Sequence, residues 1–64
     1  MIEITYNNGQ IDTFEIYSES DTHITWEDYA RNFIRINKHT GQTTLLHDDE
    51  WIEYNLGIAS YRKI

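Results

Sequence analysis

The densest run of side chains able to do chemistry is His47-Asp48-Asp49-Glu50. Carboxylates beside a histidine can hold a divalent cation, and such an ion can activate a bound water. The spacing argues against that use. Neighbours along an extended chain point to alternate faces, so a consecutive run rarely converges on one ion. The carboxylate spacing of a calcium loop is absent, no His-x-x-x-His pair occurs, and there is no cysteine to supply a thiolate ligand. The run reads instead as an acidic turn or the start of a helix. Ser18, Ser20 and Ser60 have no signature of a neighbouring base, and His23, His39 and His47 are scattered. No glycine-rich phosphate loop exists, and no pair of carboxylates is set apart for acid–base work. The expectation is a chain that binds rather than catalyses, with no metal and no cofactor.

The aromatic residues carry more promise. Two Trp, five Tyr and two Phe lie in 64 residues, and each can bury ~150–250 Å². Trp26 is followed by Glu27 and Asp28, while Trp51 is preceded by Asp48, Asp49 and Glu50. A core anchor needs no function, but an exposed tryptophan ringed by charge makes an interface hot spot. These seven residues are the candidate binding residues. Arg31, Arg35 and Lys38 interleave with Phe33, a faint version of a stacking surface for single-stranded nucleic acid.

The elements that must position these residues follow from periodicity. Ile2, Ile4 and Tyr6 alternate with Glu3 and Thr5, the period of a half-buried strand. Asn7-Asn8-Gly9 signals a turn, after which Phe14 and Ile16 resume the alternation. A two-residue Asn8-Gly9 loop would oppose Ile4 to Thr13 and set Phe14 and Ile16 on the wrong face. A three-residue loop with Gly9 in a left-handed bulge position brings all four apolar residues to one face, and is favoured. A second hairpin is expected around Asn37-Lys38-His39-Thr40-Gly41-Gln42, between Phe33–Ile36 and Thr43–Leu46.

Between the hairpins two readings compete. Thr25 could cap a short helix near 25–31, with Asp28 three residues on and Trp26, Tyr29, Ala30, Phe33 and Ile34 at helical spacing. The other reading is a strand across His23 to Glu27 that turns at Asp28–Arg31. The helix followed by a strand is preferred, because Ile34 and Ile36 alternate. The last third offers the same choice: a helix from Asp48-Asp49-Glu50 carrying Trp51 and Tyr54, or a strand on which Ile52, Tyr54 and Leu56 alternate. Ile58 to Ile64 reads as a terminal strand. The expected fold is one mainly β domain over 1–64, an antiparallel sheet curled into an open barrel or roll with at most one or two short helices.

Charge bounds the partners. The formal net charge is −6, with every acid before residue 31 unaccompanied by Lys or Arg. Such a field repels phosphate backbones, so direct nucleic-acid binding is disfavoured and a protein partner expected. No stretch approaches the ~18 apolar residues of a membrane span, and no leader pattern opens the chain, so a cytoplasmic location without membrane contact is expected. Ile2-Glu3-Ile4-Thr5-Tyr6-Asn7-Asn8-Gly9 and the stretch from Asn32 to Leu46 resemble small uncharacterised proteins of phages and prophages of Gram-positive bacteria. That resemblance implies a context in which small proteins bind a host or phage macromolecule. Three functions follow as expectations: an acidic protein-interaction module, an acidic mimic of nucleic acid that inhibits a DNA- or RNA-handling protein, or a homo-oligomeric assembly component.

Overall fold

A computed structural model describes residues 1–64. Eight strands form, with no helix: β1 (Ile2–Tyr6), β2 (Ile11–Phe14), β3 (Ile16–Glu19), β4 (His23–Glu27), β5 (Phe33–Asn37), β6 (Thr43–His47), β7 (Glu50–Glu53) and β8 (Ile58–Lys63). They pair into two antiparallel sheets, one ordered β2-β1-β8 and one ordered β3-β4-β5-β6-β7. Glu15 is the single residue between β2 and β3, so one bent segment passes from the first sheet into the second.

The first hairpin has the bulged register. Ile2 opposes Phe14 and Ile4 opposes Asp12. Tyr6 N–H donates to the Gln10 carbonyl at 2.8 Å, leaving Asn7-Asn8-Gly9 as the loop. Gly9 has φ of 87°, a conformation that a Cβ would crowd. Asn8 Oδ1 accepts from the Gln10 N–H at 2.9 Å and fixes the turn locally. The second hairpin also forms where expected, with Asn37 Oδ1 accepting from the N–H groups of His39 and Thr40.

The preferred helix over 25–31 is replaced by the alternative strand. Ile24 and Trp26 are both buried at 1% exposure. Residues two apart share a face only in a strand, and a helix would turn them nearly opposite ways. The following turn is closed by Asp28, whose Oδ1 accepts from the N–H of Ala30 at 2.9 Å and of Asn32 at 2.8 Å. Arg31 takes φ of 65°, which ends any right-handed helix. The aspartate expected to complete a capping box thus builds a turn.

The helix from Asp48 is likewise absent. Asp48 and Asp49 have φ of 49° and 64° and form the two-residue loop between β6 and β7, with His47 opposed to Glu50. Two consecutive left-handed residues suit the twist of a tight hairpin and cannot start a helix.

The core lies where the inner faces of the two sheets meet. Ile2, Ile4 and Phe14 come from the first sheet, and Ile24, Trp26, Ile34 and Ile36 from the second. Phe14 and Trp26 stack across the gap with ring centroids 6.1 Å apart. The one buried polar residue, Thr43, donates its hydroxyl proton to the Tyr54 carbonyl, so its burial leaves nothing unpaired. Outside the core, Glu19 of β3 bridges to Lys63 of β8 at 2.9 Å and to Lys38 at 2.6 Å, linking one sheet to the other.

Two stability outcomes follow. Trp26→Ala removes the largest core side chain from a small domain and is expected to cost about 3–5 kcal/mol, enough to unfold much of the chain at room temperature. Circular dichroism during urea unfolding checks this, and a midpoint near that of the parent chain would refute the placement of Trp26. Asp49→Gly relieves a left-handed aspartate and one of two adjacent charges, and is expected to raise stability by about 0.5–1 kcal/mol in the same measurement.

Candidate functional site

With one face of β4 and β5 buried, alternation sends the other residues outward. His23, Thr25 and Glu27 of β4 and Phe33, Arg35 and Asn37 of β5 therefore share the outer face of the five-stranded sheet. Ile16 opposes inward-facing Trp26, so alternation places Tyr17 on this face, and the bulge between Ile16 and Ser18 sets Ser18 opposite Thr25 on it too. The Tyr17 ring meets Phe33 edge-on, with centroids 4.8 Å apart and planes at 61°. From β7, Trp51 opposes Leu46 of β6 and joins them. Tyr17, His23, Thr25, Phe33, Arg35 and Trp51 line an open concavity of about 720 Å³. That volume is within the ~300–1,000 Å³ range of ligand sites, although this one is a groove on a sheet.

Arg35 is its central feature. The guanidinium carbon lies 4.2 Å from the Trp51 ring centroid, a cation–π arrangement. Its Nε donates to Thr44 Oγ1 at 3.2 Å. No carboxylate lies within 4.0 Å of it, and its terminal nitrogens donate to no protein group. Nor is either nitrogen shut away from solvent, since no buried side-chain nitrogen is left unpartnered. The result is a half-buried guanidinium held flat from two sides, with its outer fork free.

The sequence-derived candidates divide. Trp26 is in the core at 1% exposure and offers no surface. It cannot be an interface anchor, because its ring fills the gap between the sheets. Trp51 lies on the outer face beneath Arg35. Glu27 ends β4, and Asp28 closes the turn that follows. Asp48 and Asp49 form the β6–β7 turn, with Glu50 opening β7. In an antiparallel order β4-β5-β6-β7 the β4–β5 and β6–β7 turns fall at the same end of the sheet, two strand spacings or roughly 10 Å apart. Glu27, Asp28, Asp48, Asp49 and Glu50 therefore gather at one acidic pole, although they are far apart in sequence. His47 comes within 3.4 Å of Asp48, but no group of three or more His, Asp or Glu side chains converges on a common point.

Tyr17 and Leu46 escaped the sequence reading, and Arg35 entered it only as part of a basic stretch. The outward position of Arg35 and Phe33 follows from burial of Ile34 and Ile36, so alternation held the signal. The same signal places Tyr17, which follows the inward-facing Ile16.

Two ionisable groups are clearly displaced. Glu19 titrates below the ordinary carboxylate range because Lys38 and Lys63 donate to it, which stabilises its charged form. Tyr6 is pushed up from 10.0 to about 12, first by burial and then by the Asp12 carboxylate and the other charges nearby. No family model matches this chain, and neither the curated proteins nor the solved structures contain a match to it.

The raised Tyr6 value has a signed consequence. A neutral phenol is favoured in the folded state, so its full contribution holds below pH 10.0 and is lost as pH rises toward 12. Urea midpoints measured across that window are expected to fall for the parent chain and to fall less for Tyr6→Phe. Equal declines in the two proteins would refute the assignment.

Proposed function

We propose that this chain is a small protein-interaction module, a binder rather than an enzyme, which engages its partner through the outer face of the five-stranded sheet. The observation that carries this reading is the outward-facing aromatic and cationic cluster of exposed Tyr17 with half-buried Phe33, Arg35 and Trp51. Tyr17 is 69% exposed, although a tyrosine of this size packs well when covered. Aromatic and arginine side chains are the types that dominate binding energy at interfaces. Under the same reading the two sheets act as halves of one open roll, and the module works in the cytoplasm in a phage or prophage setting.

A second reading is favoured by a separate observation, the acidic pole. Of the acids in the chain, only Glu3 and Glu19 pair with Lys or Arg. The unpaired carboxylates of the two neighbouring turns would imitate a run of phosphates and block a nucleic-acid-handling protein. Binding of that kind is steeply salt-dependent. Assembly through strand edges has less support: of the four edge strands, β2, β3 and β7 are four residues each with Asp12, Glu19, Glu50 and Glu53 on them, and the six-residue β8 carries Arg62 and Lys63.

The two surfaces can be separated by mutation. Partner capture from a bacterial lysate, read by mass spectrometry, is expected to be lost in Tyr17→Ser and kept in the doubly substituted Asp48→Asn, Asp49→Asn protein. The opposite pattern, with capture only at low salt, would replace the first reading by the acidic mimic.

A further inference from the structure

We infer that the groove takes an extended peptide segment of its partner that presents a carboxylate beside an aromatic or branched apolar side chain, with Arg35 as the carboxylate anchor. The inference rests on the interaction-module reading above and specifies its ligand.

The first support is the state of Arg35. A guanidinium is a planar fork that matches a carboxylate with two parallel hydrogen bonds. Of the three arginines, Arg62 has an internal carboxylate in Glu3 at 2.8 Å, and Arg31, on an exposed turn, has no such partner. Arg35 has none. Stacking on Trp51 and the bond from Nε to Thr44 hold it in place while leaving the terminal nitrogens free. Much of the side-chain entropy of ordering an arginine is thus already lost before a ligand arrives, which favours binding.

The second support is the distribution of charge. The chain carries −6 overall, yet the groove is lined by a single acid, Glu19, and a single Lys or Arg, Arg35. Glu19, the one acid lining the groove, is bound by both Lys38 and Lys63. Arg35 is therefore the cation left free to meet an incoming ligand, while Glu27, Asp28 and Asp48 to Glu50 stay at the pole. Glu27 and Glu53 flank the outer face without pairing with Arg35. A ligand with one or two carboxylates satisfies one free fork. A polyphosphate strand would bring a charge with every unit into the field of those acids, which disfavours nucleic acid.

The third support is shape. Tyr17 and Phe33 meet edge-on at one side of the groove, beside Arg35 and Trp51. The edge-on pair offers an angled apolar wall next to the guanidinium. Thr25 and His23 add polar groups toward the other end. An acidic residue with an aromatic or branched apolar neighbour fits that arrangement.

The test is selection of random displayed heptapeptides on the intact chain, with Arg35→Gln and Arg35→Lys chains in parallel and circular dichroism to verify their sheet content. Enriched peptides are expected to pair Asp or Glu with an aromatic or branched apolar residue. Binding of the best synthetic peptide is expected to fall at least about tenfold in Arg35→Gln, and less in Arg35→Lys, which keeps the charge but loses the fork. Enrichment of basic peptides, or the same enrichment on Arg35→Gln as on the parent, would overturn the proposal. So would tighter binding of a single-stranded oligothymidine than of the best peptide. Failure here is distinguishable from failure of the broader reading. If the lysate partner is lost in Tyr17→Ser but kept in Arg35→Gln, the face is the interface and the carboxylate anchor is wrong. If it is kept in both, the face is not the interface.

Discussion

The structure depends on the burial of Trp26 between two sheets that are each too small to stand alone. A three-stranded and a five-stranded sheet have one apolar face apiece, and neither can bury it without the other. Trp26 fills much of the space between them, stacked on Phe14 from the opposite sheet. Ile2, Ile4, Ile24, Ile34 and Ile36 complete the core with β-branched side chains that suit a pleated surface. With no disulfide, this contact is the main source of stability, and Glu19 adds a polar link by bridging to Lys63 across the sheets.

That contact also creates the candidate site. Once one face of β4 and β5 is committed to the core, Thr25, Phe33 and Arg35 have no place but the other face. The site is thus the complement of the core, and its rigidity is borrowed from it. Arg35 shows the consequence most clearly: its backbone is held by neighbours on both sides, and its side chain is clasped between Trp51 and Thr44. A long flexible cation becomes a fixed one without any acid to hold it.

Aspartate recurs in the turns in ways that a helix-oriented reading misassigns. Asp28 accepts two backbone N–H groups and closes the β4–β5 turn, while Asp48 and Asp49 adopt left-handed conformations in the β6–β7 loop. Short polar side chains favour both helix starts and turns because they compete for local backbone groups in either setting. Local composition therefore left two structures nearly balanced at residues 25–31 and 48–56. Burial of Ile24 with Trp26, and of Ile34 with Ile36, tipped the first toward a strand. Pairing of β7 with β6 decided the second.

The sequence by itself determined the β class, both hairpins and the bulged register of the first, since each rests on period-two alternation and on glycine where φ is positive. It also determined an acidic chain whose densest chemical run is a turn or a helix start. Only the tertiary structure decided which tryptophan is core and which is surface. Both are flanked by acids, and a flanking charge does not report which face a side chain takes. Only the pairing order brought the two acidic turns to one pole and Tyr17, Phe33, Arg35 and Trp51 to one groove. Those residues come from three strands spread over more than half the chain, and proximity between strands is a property of the sheet that no local signal encodes.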